Sequence, residues 1–204
     1  MLARGAPLVR MLDHTGTAYE YISDKDSMAA LASTWGATGD TFAPPIVVDG
    51  DFVVSQSIAS CLYLGKKLGL SPANEFKGTQ YMLDIIDTFE GGVGKNNEQG
   101  PALKAFIEGS RFKALMGNIE RGIKGPFYFG SEPCCVDFFL AAHLDWRTNQ
   151  VFGPLKAKLG VDALAAFPKM VGILATLSAT DAWKNCKLRQ MGPLKDEILE
   201  AYNS

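Results

Sequence analysis

The stretch that decides the fold is residues 43–59, APPIVVDGDFVVSQSIA. Two prolines precede a β-branched run, Ile46–Val48, and Asp49–Gly50 is typical of a tight turn before a second such run, Phe52–Val54. The pattern predicts a β-hairpin with a two-residue or slightly longer loop. Ser57 then favours the start of a helix. One face of that helix would carry Ile58, Cys61, Leu62 and Gly65.

The sequence has a different character on the two sides of this stretch. Before it, Leu8, Met11 and Leu12 have helical spacing, whereas residues 18–22 alternate as a strand does. After Gly69–Pro72, which has the composition of a linker, the apolar spacing is helical throughout. We therefore predict a small α/β domain over residues 1–68 and an all-helical domain over residues 75–204. The helical faces are Met82, Ile85, Ile86 and Phe89; Phe112, Leu115, Met116 and Ile119; and Val136, Phe139, Leu140, His143 and Leu144.

Composition excludes several classes of protein. The 204 residues are 47% hydrophobic with a net charge of −2, which argues against disorder and against a nucleic-acid-coating protein. We find no apolar run long enough for a membrane span and no signal peptide. The cysteines form no C-x-x-C pair and the two histidines lack paired spacing, so we expect no metal site and an intracellular location, cytoplasmic or organellar. The cysteines are Cys61, Cys134, Cys135 and Cys186.

Residues 43–59 resemble the glutathione-binding segment of cytosolic glutathione transferases, in which a cis-proline opens a hairpin and Gln-Ser begins the next helix. The interval of 11 residues from Pro45 to Gln56 is similar to that of several classes, and the mu and sigma classes look closest. The resemblance covers nearly the whole chain. It implies a thioredoxin-like α/β N-terminal domain followed by an all-α C-terminal domain. Weaker similarities lie at Arg4–Arg10, Gly130–Phe139 and Ala166–Pro168.

The resemblance also implies glutathione as co-substrate, bound by Pro44, Pro45, Gln56 and Ser57, with Pro45 as the cis residue. A helix N-terminus attracts anions, so the N–H groups at Gln56–Ser57 suit the γ-glutamyl carboxylate. The alternative is that this pair is an ordinary N-cap. Glu90 would be the acid that reaches across a dimer interface, and its alternative is an exposed helix charge.

The catalytic group of that family is missing from this sequence. The family uses a Tyr on the first strand, or a Ser or Cys near the first helix, to favour the glutathione thiolate. Residues 1–13 contain none of these, and the first hydroxyl is that of Thr15, so we assign no catalytic residue. Only Arg4 could approach the sulfur. Most of the first strand is also missing, which favours either a Tyr-bearing strand upstream of residue 1 or a rebuilt sheet.

Smaller departures concern the ligand and the helix that begins near residue 134. Pro44 has no N–H where the family uses a backbone donor. No Lys or Arg occurs over residues 26–65, so the glycine carboxylate has no obvious cation, and Trp35 would either line that end of the site or belong to the core. Cys134 stands where Ser or Thr normally caps a helix, so Asp137 is expected to satisfy the N–H groups there. His143 is predicted to be a packed core histidine.

Two functions remain open from the sequence. One is a glutathione transferase that conjugates glutathione to hydrophobic electrophiles, provided that the catalytic Tyr lies upstream. The other is a non-catalytic binding or scaffold subunit of a larger assembly, since this fold is reused. A homodimer or a subunit of a larger complex is expected in either case, and the sequence as given should conjugate glutathione poorly.

Overall fold

The computed structural model describes residues 4–24, 26–27, 29–30, 44–186, 188 and 192–203. The first helix, α1, spans Ala6–Thr15 and has Pro7 in its first turn, where a missing N–H costs nothing. It ends at Gly16, whose left-handed φ of 66° allows its N–H to reach the last carbonyls. Leu8 and Met11 are buried, as their spacing predicts.

The predicted hairpin is confirmed. Strand β1 (Ile46–Asp49) pairs antiparallel with β2 (Phe52–Ser55), and Asp49 lies opposite Phe52. The loop is therefore Gly50–Asp51, one residue later than the Asp49–Gly50 signal suggested. Gly50 occupies the first loop position with a φ of 60°, which glycine adopts without strain. The Pro44–Pro45 peptide bond is cis, so Pro45 is the cis residue, as predicted.

The predicted strand over residues 18–22 is wrong. Residues 17–24 have no regular secondary structure, and Tyr19 and Tyr21 are 40% and 41% exposed. A strand is stable only when a neighbour satisfies its backbone N–H and C=O groups. Within the described part of the chain, the sheet consists of β1 and β2 alone. The hydroxyl of Tyr19 donates instead to Asp13 at 2.8 Å.

Helices follow the hairpin, as the apolar spacing predicts. In the described residues from 75 onward, the β-type pairing found is a bridge between Phe127 and Gly130. The domain bounds at residues 68 and 75 stay a prediction. The elements are α2 (Ser57–Lys67), α3 (Glu75–Ile86), a first π-helical segment (Asp87–Gly94), α4 (Gly100–Glu108), α5 (Ser110–Gly122), α6 (Cys135–Arg147), a second π-helical segment (Thr148–Phe152), α7 (Gly153–Leu159), α8 (Pro168–Ser178), α9 (Asp181–Lys184), α10 (Asp196–Glu200) and a 3₁₀ turn (Ala201–Asn203).

Helix α6 is the centre of the core. It packs against α1, α2, α3, α8 and the first π-helical segment, and its residues 135–144 are all buried. This explains why its sequence shows weak amphipathic contrast, since a helix that is apolar all round is buried all round. The prediction that His143 is a packed core residue is confirmed, because none of its surface is exposed.

Asp137 holds the start of α6. Its two carboxylate oxygens accept backbone hydrogen bonds from Tyr128 and Cys134, each at 2.8 Å, and the side chain is fully buried. The predicted structural role of Asp137 is therefore confirmed. Burial raises the pKa of this carboxyl, although the two N–H donors act in the opposite direction. Burial likewise raises the pKa of the neighbouring Cys134 thiol, so that thiol is protonated and unreactive.

Neither a membrane-spanning helix nor a metal-binding cluster is present among the described residues. None of their helices is long and apolar enough to cross a membrane. No group of three or more His, Cys, Asp or Glu side chains among them is arranged to hold a metal ion.

Candidate functional site

The junction of β2 and α2 has a strained backbone. Gln56 has a φ of 71°, a region that residues other than glycine rarely adopt, at a cost of roughly 1–3 kcal/mol. Its carbonyl accepts the first helical hydrogen bond, from Ser60, so Gln56 is the N-cap and Ser57 is the first helical residue. The exposed side chain of Gln56 makes no capping hydrogen bond. Gln56 is therefore an N-cap through its backbone alone, and the binding role of Gln56 and Ser57 stays a prediction.

Contacts between the hairpin and α2 hold this junction in place. Tyr63 on α2 donates its hydroxyl to Asp49 at 2.6 Å, and Lys67 binds the same carboxylate oxygen. The rings of Phe52 and Tyr63 stack at 4.5 Å between centroids. The turn of the hairpin is thus tied to the last turns of α2. The hairpin as a whole is therefore held against α2.

The chain ahead of α1 lies against the cis-proline. A Cβ atom built on Gly5 would lie 3.6 Å from Cβ of Pro45, so the backbone of Gly5 is in contact with that ring. Arg4 is the residue before Gly5, and its side chain extends to Glu90. Thr15, the first hydroxyl in the sequence, is at the other end of α1, where it donates to the carbonyl of Met11. Trp35 lies outside the described residues.

Arg4 forms an ion pair with Glu90 of the first π-helical segment. Its Nε and Nη2 atoms both donate to Oε2 of Glu90, at 2.8 and 2.5 Å. The side chain of Arg4 is 54% exposed, whereas that of Glu90 is only 15% exposed. The alternative that Glu90 is an exposed helix charge is therefore wrong. A role across a dimer interface stays a prediction for Glu90, whose carboxylate binds Arg4 within this chain.

His143 lies at the other oxygen of Glu90. Its Nε2 is 3.4 Å from Oε1, and its Nδ1 is 2.8 Å from the backbone carbonyl of Phe139. The sequence pattern predicted the burial of His143 and singled out Glu90, but it did not predict their contact, because the two residues belong to separate elements that only tertiary packing brings together. The one sequence signal for this contact was that His143, a polar residue, lies on an otherwise apolar helix face.

A second guanidinium lies on the inner side of Glu90. Arg147 is buried one turn beyond His143, where it stacks on Trp146 at 3.8 Å and donates to Gln150. A Cβ atom on Gly94 would overlap this guanidinium, which shows how closely the π-helical segment approaches α6. Burial lowers the pKa of Arg147 to about 10, and the negative charge of Glu90 opposes that effect.

The charges around Glu90 keep it ionised. Burial by itself would raise the pKa of Glu90, but the contacts with His143 and Arg4 outweigh it and lower the pKa to about 2. The candidate site therefore includes a carboxylate that interacts with two guanidiniums and an imidazole. We call Arg4, Glu90, His143 and Arg147 the charge cluster.

We expect Glu90→Gln to lower the free energy of unfolding by about 2 kcal/mol at pH 7. The lowering of the Glu90 pKa from 4.5 to about 2 is equivalent to roughly 3 kcal/mol, which we reduce because Arg4 is half exposed and screened by solvent. Because the folded-state pKa is lowered, this stability is complete above about pH 5 and is lost as the pH falls towards 2. Urea unfolding of both proteins from pH 7 to pH 3.5 measures it.

The matched control for this prediction is Glu98→Gln, at an exposed turn position. It should leave the free energy of unfolding within about 0.5 kcal/mol of the original at every pH. A Glu90→Gln deficit that does not shrink on acidification would contradict the assigned ion pair.

No family model matches the chain, and no curated protein matches its sequence. Solved structures do match. A glutathione transferase from Burkholderia graminis, with two glutathione molecules bound per subunit, has a TM-score of 0.67 at 19% identity over 89% of this chain and 82% of that one. A glutathione transferase family member from Pseudomonas fluorescens, also with two glutathione bound, has a TM-score of 0.67 at 17% identity over 89% and 87%. A sigma-class transferase from Fasciola hepatica has a TM-score of 0.65 at 16% identity over 88% and 87%.

These neighbours share the architecture of the chain over nearly its whole length. The small sheet and the helices that follow it correspond to a thioredoxin-like domain and a helical domain, so the predicted fold class is confirmed. Identities below 20% are evidence of fold and not of activity. This chain has the fold of the cytosolic glutathione transferases.

Proposed function

We propose that this chain binds glutathione along Pro45, β1 and the first turn of α2. The observation that carries the proposal is the left-handed backbone of Gln56, at the start of a helix that follows a cis-proline hairpin. Backbone strain of this kind is concentrated at ligand sites, where the surrounding structure maintains it. The first N–H groups of α2 have a partial positive charge that suits a carboxylate, such as that of the γ-glutamyl group.

The other residues of the site supply complementary chemistry. Pro44 cannot donate a hydrogen bond, but its carbonyl can still accept one from the cysteinyl N–H of an extended tripeptide. Gln56 presents an exposed carboxamide, and Ser57 is buried at the base of the same turn. Arg4, ahead of α1, provides positive charge for an anionic ligand. These features favour glutathione over a neutral peptide.

The test is the substitution Gln56→Gly, which should separate stability from binding. Glycine relieves the strained φ, so the free energy of unfolding should rise by about 1 kcal/mol after allowance for the flexibility of glycine in the unfolded chain. Loss of the carboxamide should weaken glutathione binding roughly tenfold, the equivalent of one hydrogen bond to a charged group. Isothermal titration with glutathione and with S-hexylglutathione measures binding, and urea unfolding measures stability.

Gln99→Gly is the matched control. Gln99 also precedes a helix and also makes no side-chain cap, but its φ is −136°. This variant should bind glutathione as the original does and should gain no stability. Failure of the folded original protein to bind either ligand would refute the proposal, as would equal weakening by the two substitutions.

Conjugation of glutathione to a hydrophobic electrophile is the second candidate function. It requires a thiolate, and a free cysteine thiol has a pKa near 8.5, so an activating group is needed. Arg4 favours this candidate because a guanidinium beside the sulfur would stabilise the thiolate. Glu90 acts against it, because it already binds Arg4. An assay with glutathione and an aryl halide decides: turnover well above the uncatalysed rate supports the transferase, and binding without turnover supports a binding or scaffold subunit.

An exposed face of α3 is the proposed contact with a partner subunit. Phe76 and Leu83 lie seven residues apart on one face of the helix and are 88% and 51% exposed. Adjacent exposed apolar side chains mark interaction surfaces. We place a homodimer contact or a contact with another subunit there, and sedimentation of Leu83→Glu beside the original protein tests it.

A further inference from the structure

We propose that His143 is a positioning residue whose protonation state sets how strongly Glu90 binds Arg4, and thereby the positive charge that Arg4 offers to an anionic ligand. This inference rests on the proposed function in one respect, because the anionic ligand near Arg4 is taken to be glutathione. The coupling within the charge cluster stands on contacts in this chain alone.

The first step is the tautomer of His143. Its Nδ1 lies 2.8 Å from the backbone carbonyl of Phe139, and a carbonyl can only accept, so Nδ1 has the proton. In the neutral ring, Nε2 then presents a lone pair to Oε1 of Glu90 at 3.4 Å. Both are acceptors, and both are buried with no hydrogen-bond partner among the described residues. A buried acceptor without a donor is costly, so this contact is incomplete in the neutral state.

The second step is the gain of a proton. A proton on Nε2 supplies the missing donor and converts the contact into a charge-assisted hydrogen bond to Glu90. The single negative charge of Glu90 is then shared between the imidazolium and Arg4. Because Arg4 is more than half exposed, its guanidinium is left with more positive charge to offer to an incoming anion. When Nε2 of His143 loses this proton, Glu90 again binds Arg4 alone.

The third step is the charge environment of His143. The charged groups around the ring are Glu90 of the π-helical segment, Arg147 on the next turn of α6, and Arg4 ahead of α1, which binds Glu90. Other titratable side chains on the elements packed around α6 have partners elsewhere or lie exposed. Arg10 binds Asp145 and the carbonyl of Trp183, Asp13 binds Tyr19, His14 contacts the ring of Phe138, Asp84 accepts from Asn118, Asp137 binds Tyr128 and Cys134, Lys169 binds Ile123, and Asp87 is exposed.

The π-helical segment makes this arrangement possible. A π-helix places a bulge where an α-helix would continue, and such bulges are frequent at functional sites. Gly94 lies so close to Arg147 that a side chain would not fit, and Gly92 is similarly crowded by the ring of Phe106. The segment can therefore approach α6 closely enough for the carboxylate of Glu90 to reach the buried imidazole.

The direct test is proton NMR of the two histidine rings between pH 5 and pH 8.5. The chain has only His14 and His143, and the exposed His14 is an internal reference. At a given pH below 7, the ring of His143 should be less protonated in Glu90→Gln than in the original protein, whereas the His14 signal should be unchanged. A His143 signal that is independent of pH, or that titrates identically in the two proteins, overturns the proposal. This readout needs no ligand, so it decides the inference even if glutathione does not bind.

The second test measures the affinity for S-hexylglutathione from pH 8 to pH 5.5. This ligand has no free thiol, so its own charge is nearly constant over that range. The original protein should bind roughly three- to tenfold more tightly at the acid end, and His14→Gln should behave in the same way. The pH dependence should be lost in both His143→Gln and His143→Leu. Glutamine can donate a hydrogen bond at every pH, and leucine can donate none. If both His143 variants keep the pH dependence of the affinity, the proposal is overturned. If either variant does not fold, Glu90→Gln takes its place, and that variant must lose the pH dependence.

Discussion

Replacement of Asp137 by alanine is expected to destabilise the protein by about 3 kcal/mol. The carboxylate of Asp137 satisfies the buried N–H groups of Tyr128 and Cys134, and alanine would leave both without an acceptor, at roughly 1–3 kcal/mol each. Burial raises the pKa of Asp137, so the cost of burying its charge is not fully offset in the native state. That places the expected loss in the lower half of the range of roughly 2–6 kcal/mol for the two groups together.

Thermal unfolding measures this loss directly. For a chain of this length, about 3 kcal/mol corresponds to a fall in Tm of roughly 6–12 °C. The control is Asp181→Ala, because Asp181 also lies in the first turn of a helix but is exposed. It should lower Tm by no more than a few degrees. Similar losses in the two variants would show that Asp137 acts only through the helix dipole.

Replacement of Gly100 by alanine should release the C-terminal segment, residues 196–203, from α4. A Cβ atom at Gly100 would lie 2.4–2.5 Å from backbone atoms of Ile198, Ala201 and Tyr202, and no rotamer change can relieve an overlap with backbone. Movement of the segment would expose Leu199 and Tyr202, which are buried. The loss of their burial amounts to about 3–5 kcal/mol.

Limited proteolysis and urea unfolding measure the effect. Cleavage near residues 192–203 should become much faster in Gly100→Ala, and the free energy of unfolding should fall by the stated amount. Gly91→Ala is the control, because nothing lies within 4 Å of the position where its Cβ atom would be. It should be neutral or up to about 1 kcal/mol stabilising, since alanine is the better helix former. Unchanged proteolysis of Gly100→Ala would mean that the segment can shift without undocking.

The hairpin and the start of α2 could be predicted because their signals are local. β-branched runs, a glycine in the turn and Ser after Gln56 each act within a few residues. The turn was misplaced by one residue, since Asp49 and Gly50 are both good turn residues and the register is decided by pairing across the strands. The functional assignment of Gln56 and Ser57 stays a prediction.

The strand over residues 18–22 shows the limit of periodicity. Alternating apolar and polar side chains predict which face of a strand would be buried. A strand also needs a neighbouring strand to pair with, and this segment has none in the described structure. The same limit applies to Glu90. Helical spacing placed it on a helix, whereas its binding of Arg4 and its contact with His143 depend on a π-helical bulge that spacing does not reveal.

Residue preferences and periods of two or 3.6 were enough to predict the hairpin and the succession of helices. The cis bond at Pro45 and the cap at Asp137 were predicted with the help of the resemblance of residues 43–59 and 130–139 to glutathione transferases. Which charged groups meet could not be predicted from the sequence: Arg4 binds Glu90, and Glu90 contacts His143. Ion pairs between distant elements depend on separations of a few ångströms, and those separations are set by the packing of α1, α6 and the π-helical segment as a whole.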